Sequence, residues 1–569
     1  MQQLQPNIFV ADDKFGDVIR CLEARGWTRH PHLSFPKTRL KWTNYSKIPW
    51  TSLAARRRTT TTSSSSNGQQ QQWLNHFQNA VLFSQKDVFA RALYEYEHTA
   101  ATAAANSRDG HVVEGDGNDD TVGVDTFYLH TFDLLRDDDK QLLVEWFLYS
   151  RALAILKSYT IQFVADDSAL DELSAAIALL SAVVDGDPRF FSHARRITIL
   201  DVEAPEWKAL LRKHTQIEER APVAAAVSPI APDLNSQVEH ILQTLRKLDL
   251  QFDAVGFENQ SVWICKPSNL SQGRGIQLLT SLDDILALQT PPDDVEDGDI
   301  DRKELEASAP PPNSQNKWVV QKYMEQPLLT LREGRKFDIR QWVLIKSLEP
   351  LHVFWYHKCY LRFCSEPFGL QSDRLDDQFV HLSNFSIQKH AEGAAGASDE
   401  SMWSSDRFQD YLRYVDSGIS IVNNDKATRR LTVHSVANEW FNRQQHGRDV
   451  WSETIVPQMQ HATRIAILST ASKLNTIGRY FFPWRLTFCL VLDSLSLHAQ
   501  NGFEWLGLDF LLDENYRAWL LEVNVSPDVS HSTSVTAELV PRATAHLLEL
   551  ILDEASSSEN GWLPLTGFP

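Results

Sequence analysis

The chain has 569 residues, with 55 Lys and Arg against 74 Asp and Glu, a formal charge of −19. Its 43% hydrophobic and 23% charged residues exclude a wholly disordered chain, a collagen-like fibre and a membrane protein, and the acidic balance argues against nucleic acid as a partner. Five scattered cysteines without a CxxC pair argue against structural zinc or a disulfide framework and for a reducing, intracellular compartment.

In chain order, the opening MQQLQPNIFVADDKFGD lacks the basic patch and apolar run of a secretory signal, so a cytoplasmic location is expected. Residues 1–50 are mixed and carry Trp27, Trp42 and Trp50. The tract ARRRTTTTSSSSNGQQQQ at 55–72 has no apolar face to bury and reads as a disordered insertion. WLNHFQNAVLFSQKDVFARALYE, from residue 73, has a helical period, and the Ala/Thr-rich then Asp/Gly-rich stretch at 99–121 reads as a second insertion. Residues 137–159 predict an amphipathic helix with aspartates at its start, where the helix dipole favours them. Two further helices are expected over 168–184 and 236–248, with an Ala/Pro-rich linker at 221–232 between them. From Trp263 the texture changes to short β-type runs: VWICK, KWVVQKYM, RQWVLIKS, LHVFWYH and YLRF. A helix is predicted over 450–475, strands over 488–495, 505–512 and 519–525, and a closing helix over 535–555. The pattern is a helical N-terminal part joined to an α+β C-terminal half.

Three features of that half carry chemistry. Lys266 ends a predicted strand and is followed by a loop containing Gly273, Arg274 and Gly275, then by the apolar run IQLL. Glycines let backbone amides approach phosphate oxygens, and the lysine supplies charge. No GK[ST] opens a helix here, so this is not a Walker loop; taken alone, an ordinary hairpin loop explains it equally well. In the second feature, GLDFLLDENYRAWLLEVNVSP, two apolar strands flank a polar turn. Pairing about that turn sets Asp509 opposite Glu522, and the period of two puts Asn524 on the same face. Two carboxylates and an amide among Leu and Val are costly to bury without a partner, and hard oxygen ligands suit Mg²⁺; an amphipathic hairpin with a polar outer face is the alternative. Third, Lys336, Asp338 and Arg340 alternate on one strand, near Arg362 and the segment HLSNFSIQK containing Asn384. Such a row lines a phosphate groove or the solvated face of a sheet.

The stretches KPSNLSQGRGI, WVVQKYMEQPLL, KFDIRQWVL, YLRFCSEPF, HLSNFSIQKH and WLLEVNVSP, in that order, resemble the tubulin tyrosine ligase-like family. Weaker likeness extends upstream to LEARGWTR and NHFQNAVLFSQKD. WVVQKYMEQPLL, with SIQKH and MWSSDRF, is most similar to the glycine-ligase branch. The resemblance implies an α/β (α+β) chain of ATP-grasp fold. Its N-terminal domain would span 1–235, interrupted at 55–72 and 99–121, followed by a central ATP-grasp domain at 236–330, a C-terminal one at 331–556 and a tail at 557–569.

ATP and Mg²⁺ are the cofactors implied. By the same resemblance, Lys266, Gly273, Arg274 and Gly275 bind ATP phosphates, Gln321, Lys322 and Tyr323 meet the adenine edge, and Lys336 with Asp338 holds the nucleotide. Asn384 lies near the phosphates and metal, Arg340 and Arg362 hold the γ-phosphate, acyl-phosphate or incoming amino acid, and Asp509, Glu522 and Asn524 ligate Mg²⁺. Two positions depart from the family pattern: Gln272, where arginine is common, and Ser383, where threonine is frequent. The activity implied is ATP-dependent ligation of free glycine to glutamate side chains of tubulin C-terminal tails. The expected setting is a cytoplasmic monomer on microtubules, in a cilium or flagellum axoneme, with no nucleic acid and no membrane. A polyglutamylase of the same family and a non-catalytic microtubule-binding member are the alternatives. A chain of charge −19 acting on acidic tails needs a locally basic groove, which Lys336, Arg340, Arg362 and Lys389 are expected to form.

Overall fold

The computed structural model describes residues 7–35, 38–50, 73–108, 123–161, 167–186, 188–191, 207–211, 232–289, 317–329, 334–391, 401–416, 449–474, 501–553 and 560–568. The 55–72 tract, the linker at 221–231, and the strand expected at 488–495 lie outside them. Strands in chain order are β1 (Ile8–Ala11), β2 (Thr28–Arg29), β3 (Leu40–Trp42), β4 (Trp73–Leu74), β5 (Thr131–Asp133), β6 (Trp263–Pro267), β7 (Gln277–Leu279) and β8 (Trp318–Lys322). They continue as β9 (Arg335–Leu348), β10 (Leu351–Tyr356), β11 (Tyr360–Pro367), β12 (Met402–Ser404), β13 (Asn501–Gly502), β14 (Glu504–Leu512), β15 (Ala518–Val525) and β16 (Trp562–Pro564). The longer helices are α1 (Gly16–Ala24), α2 (Lys86–Arg108), α3 (Asp137–Ile161), α4 (Asp167–Asp185), α5 (Pro232–Leu248), α6 (Val456–Ala471) and α7 (Ser534–Leu552).

These strands form three sheets, and two of them build the site. A four-stranded antiparallel sheet has the order β5-β8-β6-β7. A seven-stranded sheet is organised around the 14-residue β9. One edge of β9 pairs with β14, while its other edge takes β11 along its first half and β10 along its second. Residues Lys336 to Ile345 of β9 are all buried. A strand covered on both faces usually reads as a continuous apolar run; β9 instead carries Lys336, Asp338 and Arg340 inside, which demands partners for each charge.

The N-terminal part differs from the expectation of a helical domain. A third sheet, all parallel, has the order β13-β4-β3-β1-β2 and uses the aromatic-rich opening residues. Trp73 and Leu74, read as the start of a helix, are strand β4, because their backbone is paired with Leu40 and Lys41. Helix α2 runs to Arg108, into the range assigned to an insertion. The alanines at 100, 101 and 103–105 are strong helix formers, and the Thr99 and Thr102 hydroxyls bond back to the Glu95 and His98 carbonyls at 2.8 Å each.

Nor does the core break at residue 235. Strand β5 belongs to the four-stranded sheet, and α3 and α4 pack with Trp263, Cys265 and Val320 of that sheet in one hydrophobic core. Residues 77–94 and 124–128 share a second core with β9, β14 and α6, and residues 9–42 share a third with Trp342, Trp505 and α7. The described residues among the first hundred thus share cores with the later sheets. Among the described residues no helix is long and apolar enough to cross a membrane.

Candidate nucleotide and metal site

A cleft partly open to solvent, with about 830 Å³ of empty space when its open mouth is included, lies between the four-stranded and seven-stranded sheets. Of the residues singled out from sequence, Lys266, Gly273, Arg274, Gln321, Lys322, Tyr323, Lys336, Asp338, Asn384, Asp509 and Glu522 line it. Gly275, Arg340, Arg362 and Asn524 stand behind that lining.

The glycine loop leaves β6 with three successive departures from ordinary backbone: Gln272, Gly273 and Gly275 have φ of 65°, 76° and 71°. Gly273 is required twice over. A Cβ there would sit 2.5 Å from Ile387 Cδ1 and 3.3 Å from Asn384 Oδ1, so the loop is pressed against the Phe385–Gln388 turn that Asn384 caps. Ser386 Oγ also donates to the Gln272 carbonyl at 3.1 Å.

Buried lysines with neutral partners line the same wall. Lys266 Nζ donates to Gln321 Oε1 at 2.7 Å, and Gln321 Nε2 is fixed in turn by Thr131 Oγ1 at 2.8 Å. Lys336 Nζ donates to Tyr323 OH at 2.9 Å and to the His381 carbonyl at 3.0 Å. His381 Nε2 lies 2.9 Å from the Arg374 carbonyl and must donate to it, so its Nδ1 accepts from Tyr323 OH at 2.9 Å. Burial pushes both lysines down to about 8, only partly offset by Glu522 for Lys266 and by Cys364 and Asp338 for Lys336. Burial, helped by Lys336, likewise pushes His381 down to about 4, leaving it neutral. Among the described residues neither ammonium makes an ion pair with a carboxylate, so this wall stores unbalanced positive charge.

The charges that follow Lys336 on the seven-stranded sheet are, by contrast, balanced. Register places Asp338 opposite Arg362, Arg340 opposite Asp509, and Asp509 opposite Glu522; the last is the pair expected from the hairpin, reached through a register shift between Asp509 and Phe510. Arg340 grips Asp509 with Nε and Nη2 at 2.5 and 3.1 Å. Arg362 grips Asp338 at 2.8 and 2.5 Å and reaches Asp509 Oδ2 at 2.8 Å. Burial alone would raise Asp509, but the two guanidinium groups hold it well below the usual carboxylate range. For Arg362 burial works downward and is outweighed by Asp338 and Asp509, which hold it well above the usual value. Arg340 and Arg362, expected to hold the γ-phosphate, acyl-phosphate or incoming amino acid, are paired with carboxylates in this structure, as buried guanidinium groups on an interior strand require. Nor do they form a basic surface; of the four residues expected to do so, Lys389 is exposed and Lys336 is buried.

At the hairpin, Asn524 Nδ2 lies 3.2 Å from Asp509 Oδ2 and 3.1 Å from Glu522 Oε1. One amide donor thus serves two carboxylates. Turning that amide about its terminal bond presents Oδ1 instead, and the three oxygens then make a hard donor set that fits Mg²⁺. Among the described residues Glu522 makes no ion pair, so it is the carboxylate with charge left for a cation.

Several participants escaped the sequence reading. Lys86, at the start of α2, lines the cavity and donates to the carbonyls of Pro267 and Leu270 at 3.3 and 2.7 Å; burial lowers its pKa and Glu522 opposes this. His381 was in view only as part of a motif. Gly507 clears the path of Arg340, since a Cβ there would lie 3.1 Å from Arg340 Cδ and 2.9 Å from Pro527 Cβ. Lys322 lines the cavity, but its ammonium is bound to Glu325 and to the carbonyls of Val262 and Tyr323, so its charge is not offered to a ligand.

One cavity is thus lined both by buried lysines with neutral partners and by an acidic hairpin. The sequence profile of the Tubulin-tyrosine ligase family matches residues 206–468 and 490–559, more than half of the chain. The chain belongs to that family. It is similar to Tubulin monoglycylase TTLL3 of Homo sapiens, 29% identical over 76% of this chain and 50% of that protein. It is also similar to Tubulin glycylase 3B of Tetrahymena thermophila, 24% identical over 96% of this chain and 42% of that protein. Protein monoglycylase TTLL8 of Homo sapiens is 31% identical over 57% of this chain and 30% of that protein. The chain spans about half the length, or less, of the curated relatives it matches.

Proposed function

We propose that this protein is an ATP-dependent ligase of ATP-grasp type that joins glycine to glutamate side chains of tubulin C-terminal tails. The observation that carries the reading is the meeting, across one cavity, of the unbalanced Lys266 and Lys336 with the Asp509, Glu522 and Asn524 oxygens. Glycylase names among the relatives support glycine as the amino acid and tubulin as the acceptor.

A carboxylate is a poor electrophile with a poor leaving group, so amide formation needs its oxygen made into a phosphate. In this reading the lysines and the amides of the 272–275 loop bind the ATP phosphates, while Leu129, Ile264, Met324, Leu511 and Leu521 give the adenine an apolar slot. Asp509, Glu522 and Asn524 would hold Mg²⁺, which when bound neutralises phosphate charge. The γ-phosphoryl group passes to a tail glutamate oxygen and ADP leaves. The amine of glycine then attacks the acyl carbon, phosphate leaves with that oxygen, and a proton is released from nitrogen. Arg362 and Arg340 hold Asp338 and Asp509 in place through these steps, which is positioning and charge neutralisation rather than covalent catalysis.

The test is competition. Purified protein, tubulin, ATP and Mg²⁺ are incubated with equal glycine and glutamate, and tail peptides are read by mass spectrometry. Glycyl increments support the proposal; glutamyl increments move the chain to a glutamate ligase with the same chemistry; no ATP-dependent increment refutes ligase activity on tubulin.

A further inference from the structure

Residues 75–87 touch both sides of the cleft, and of them only Lys86 lines it among the described residues. At one end the Asn75 side chain is tied to the Thr43 backbone, donating to its carbonyl at 2.9 Å and accepting from its amide at 3.0 Å. His76, buried beside it, lies 2.6 Å by Nδ1 from Glu504 Oε1 and 3.0 Å by Nε2 from Ser526 Oγ. Glu504 begins β14, its other oxygen accepts the Phe77 amide at 3.0 Å, and Ser526 follows the last residue of β15. His76 therefore closes the open end of the acidic hairpin two residues beyond Asn524. Ser526 is held there in left-handed backbone, φ 59°, a conformation that needs outside support in a non-glycine residue.

The other end of the segment is built in the same way. Asp87 accepts from the Ser268 hydroxyl and donates its own amide to that oxygen at 3.2 Å, so the hydroxyl is used in both directions. Ser268 is the first residue after β6, at the root of the glycine loop. Between the two ends Phe77, Ala80 and Phe83 are buried in the core shared with β9 and β14, so the segment has no freedom to stretch. None of His76, Asp87, Ser268 and Ser526 lines the cavity.

We propose that residues 75–87 are a brace that sets the separation of the two walls, with His76 and Asp87 as positioning residues for the acidic hairpin and the glycine loop respectively. The proposal rests on the functional reading above, because it assigns a metal to one wall and phosphates to the other. Its signature is a split that loss of stability alone does not give: each end governs one ligand.

The experiment uses three single side-chain truncations that leave the buried His76–Glu504 pair intact, Ser526→Ala at one end and Ser268→Ala or Asp87→Ala at the other. A non-hydrolysable ATP analogue is titrated calorimetrically without divalent metal, and Mn²⁺ is titrated into the analogue-saturated protein by electron paramagnetic resonance. Ser526→Ala is expected to weaken Mn²⁺ about 10-fold or more, the usual consequence of losing a group that orients metal ligands, with analogue affinity unchanged. Ser268→Ala and Asp87→Ala are expected to weaken the analogue about 10-fold and leave Mn²⁺ unchanged, and Asp87→Asn, which keeps an acceptor oxygen, restores most of the loss. Wild-type affinities in all three truncations, or equal losses of both ligands in each, overturn the brace. Failure of the unaltered protein to bind the analogue overturns the functional reading and the brace together.

Discussion

Two sets of buried charge around the cleft are handled in opposite ways, although Lys336 of one set shares strand β9 with Asp338 and Arg340 of the other. On the acidic wall each aspartate has an arginine, and the register of β9 against β11 and β14 forces the pairs together. On the lysine wall Lys266 and Lys336 face a glutamine, a tyrosine and a carbonyl. The first arrangement stabilises the fold and has little charge to spare; the second costs stability and keeps charge in reserve for an anion. Glu522 stands between them, in electrostatic reach of Lys86 and Lys266. Substitutions on the two walls should therefore fail in different ways.

The largest effect is expected at the junction. Glu522→Gln removes the carboxylate that no arginine neutralises while keeping its shape. Ligation should fall by a factor on the order of 10²–10³ or more, as on removal of one preorganised electrostatic group, with thermal unfolding little changed. Near-normal turnover in the folded variant would remove the metal assignment.

On the acidic wall, Arg362→Met leaves Asp338 buried without a counter-charge. Breaking one side of such a pair costs about 3–5 kcal/mol, so the melting temperature should drop by about 3–4 °C in a chain of this size. On the lysine wall, Lys336→Met should leave the melting temperature unchanged or slightly raised, since burial already disfavours this ammonium, and should instead weaken nucleotide binding by about tenfold or more. Equal destabilisation by both substitutions would erase the contrast between the walls.

The smallest effect is a pH dependence with two opposite signs. With native lysine values near 8 for Lys266 and Lys336 against 10.5 in the unfolded chain, the native state binds fewer protons between those limits. Stability without nucleotide should then rise with pH across that window. Nucleotide affinity, which needs the ammonium forms, should be flat below pH 8 and fall above it. A KM for ATP that stays constant from pH 7 to 9.5 would show that these lysines carry no phosphate.

Much of this was legible in the sequence, for a physical reason. Strand periodicity and a turn centre are local, so the pairing of Asp509 with Glu522 could be counted out, and the shared face of Lys336, Asp338 and Arg340 followed from alternation. What failed was non-local. Nothing in KFDIRQWVL tells that Arg340 will meet an aspartate 169 positions later, and nothing in WVVQKYM tells that the ammonium of the cavity-lining Lys322 will pair with Glu325. Helical period in WLNHFQNAVLFSQKD hid a strand, a brace and the cavity-lining Lys86, because their conformations are imposed by sheets elsewhere in the chain. The clue that was available is the pair His76 and Asp87 among apolar neighbours: polar side chains at core positions require partners.

The central claim, that both walls serve one ligand, is tested most directly by a crystal structure with Mn²⁺ and a non-hydrolysable ATP analogue. The account predicts an anomalous manganese peak at Asp509, Glu522 and Asn524, with the analogue's phosphates bridging from it to Lys266 and Lys336. Manganese bound elsewhere, or a nucleotide lying outside the cleft between β8 and β14, would contradict it.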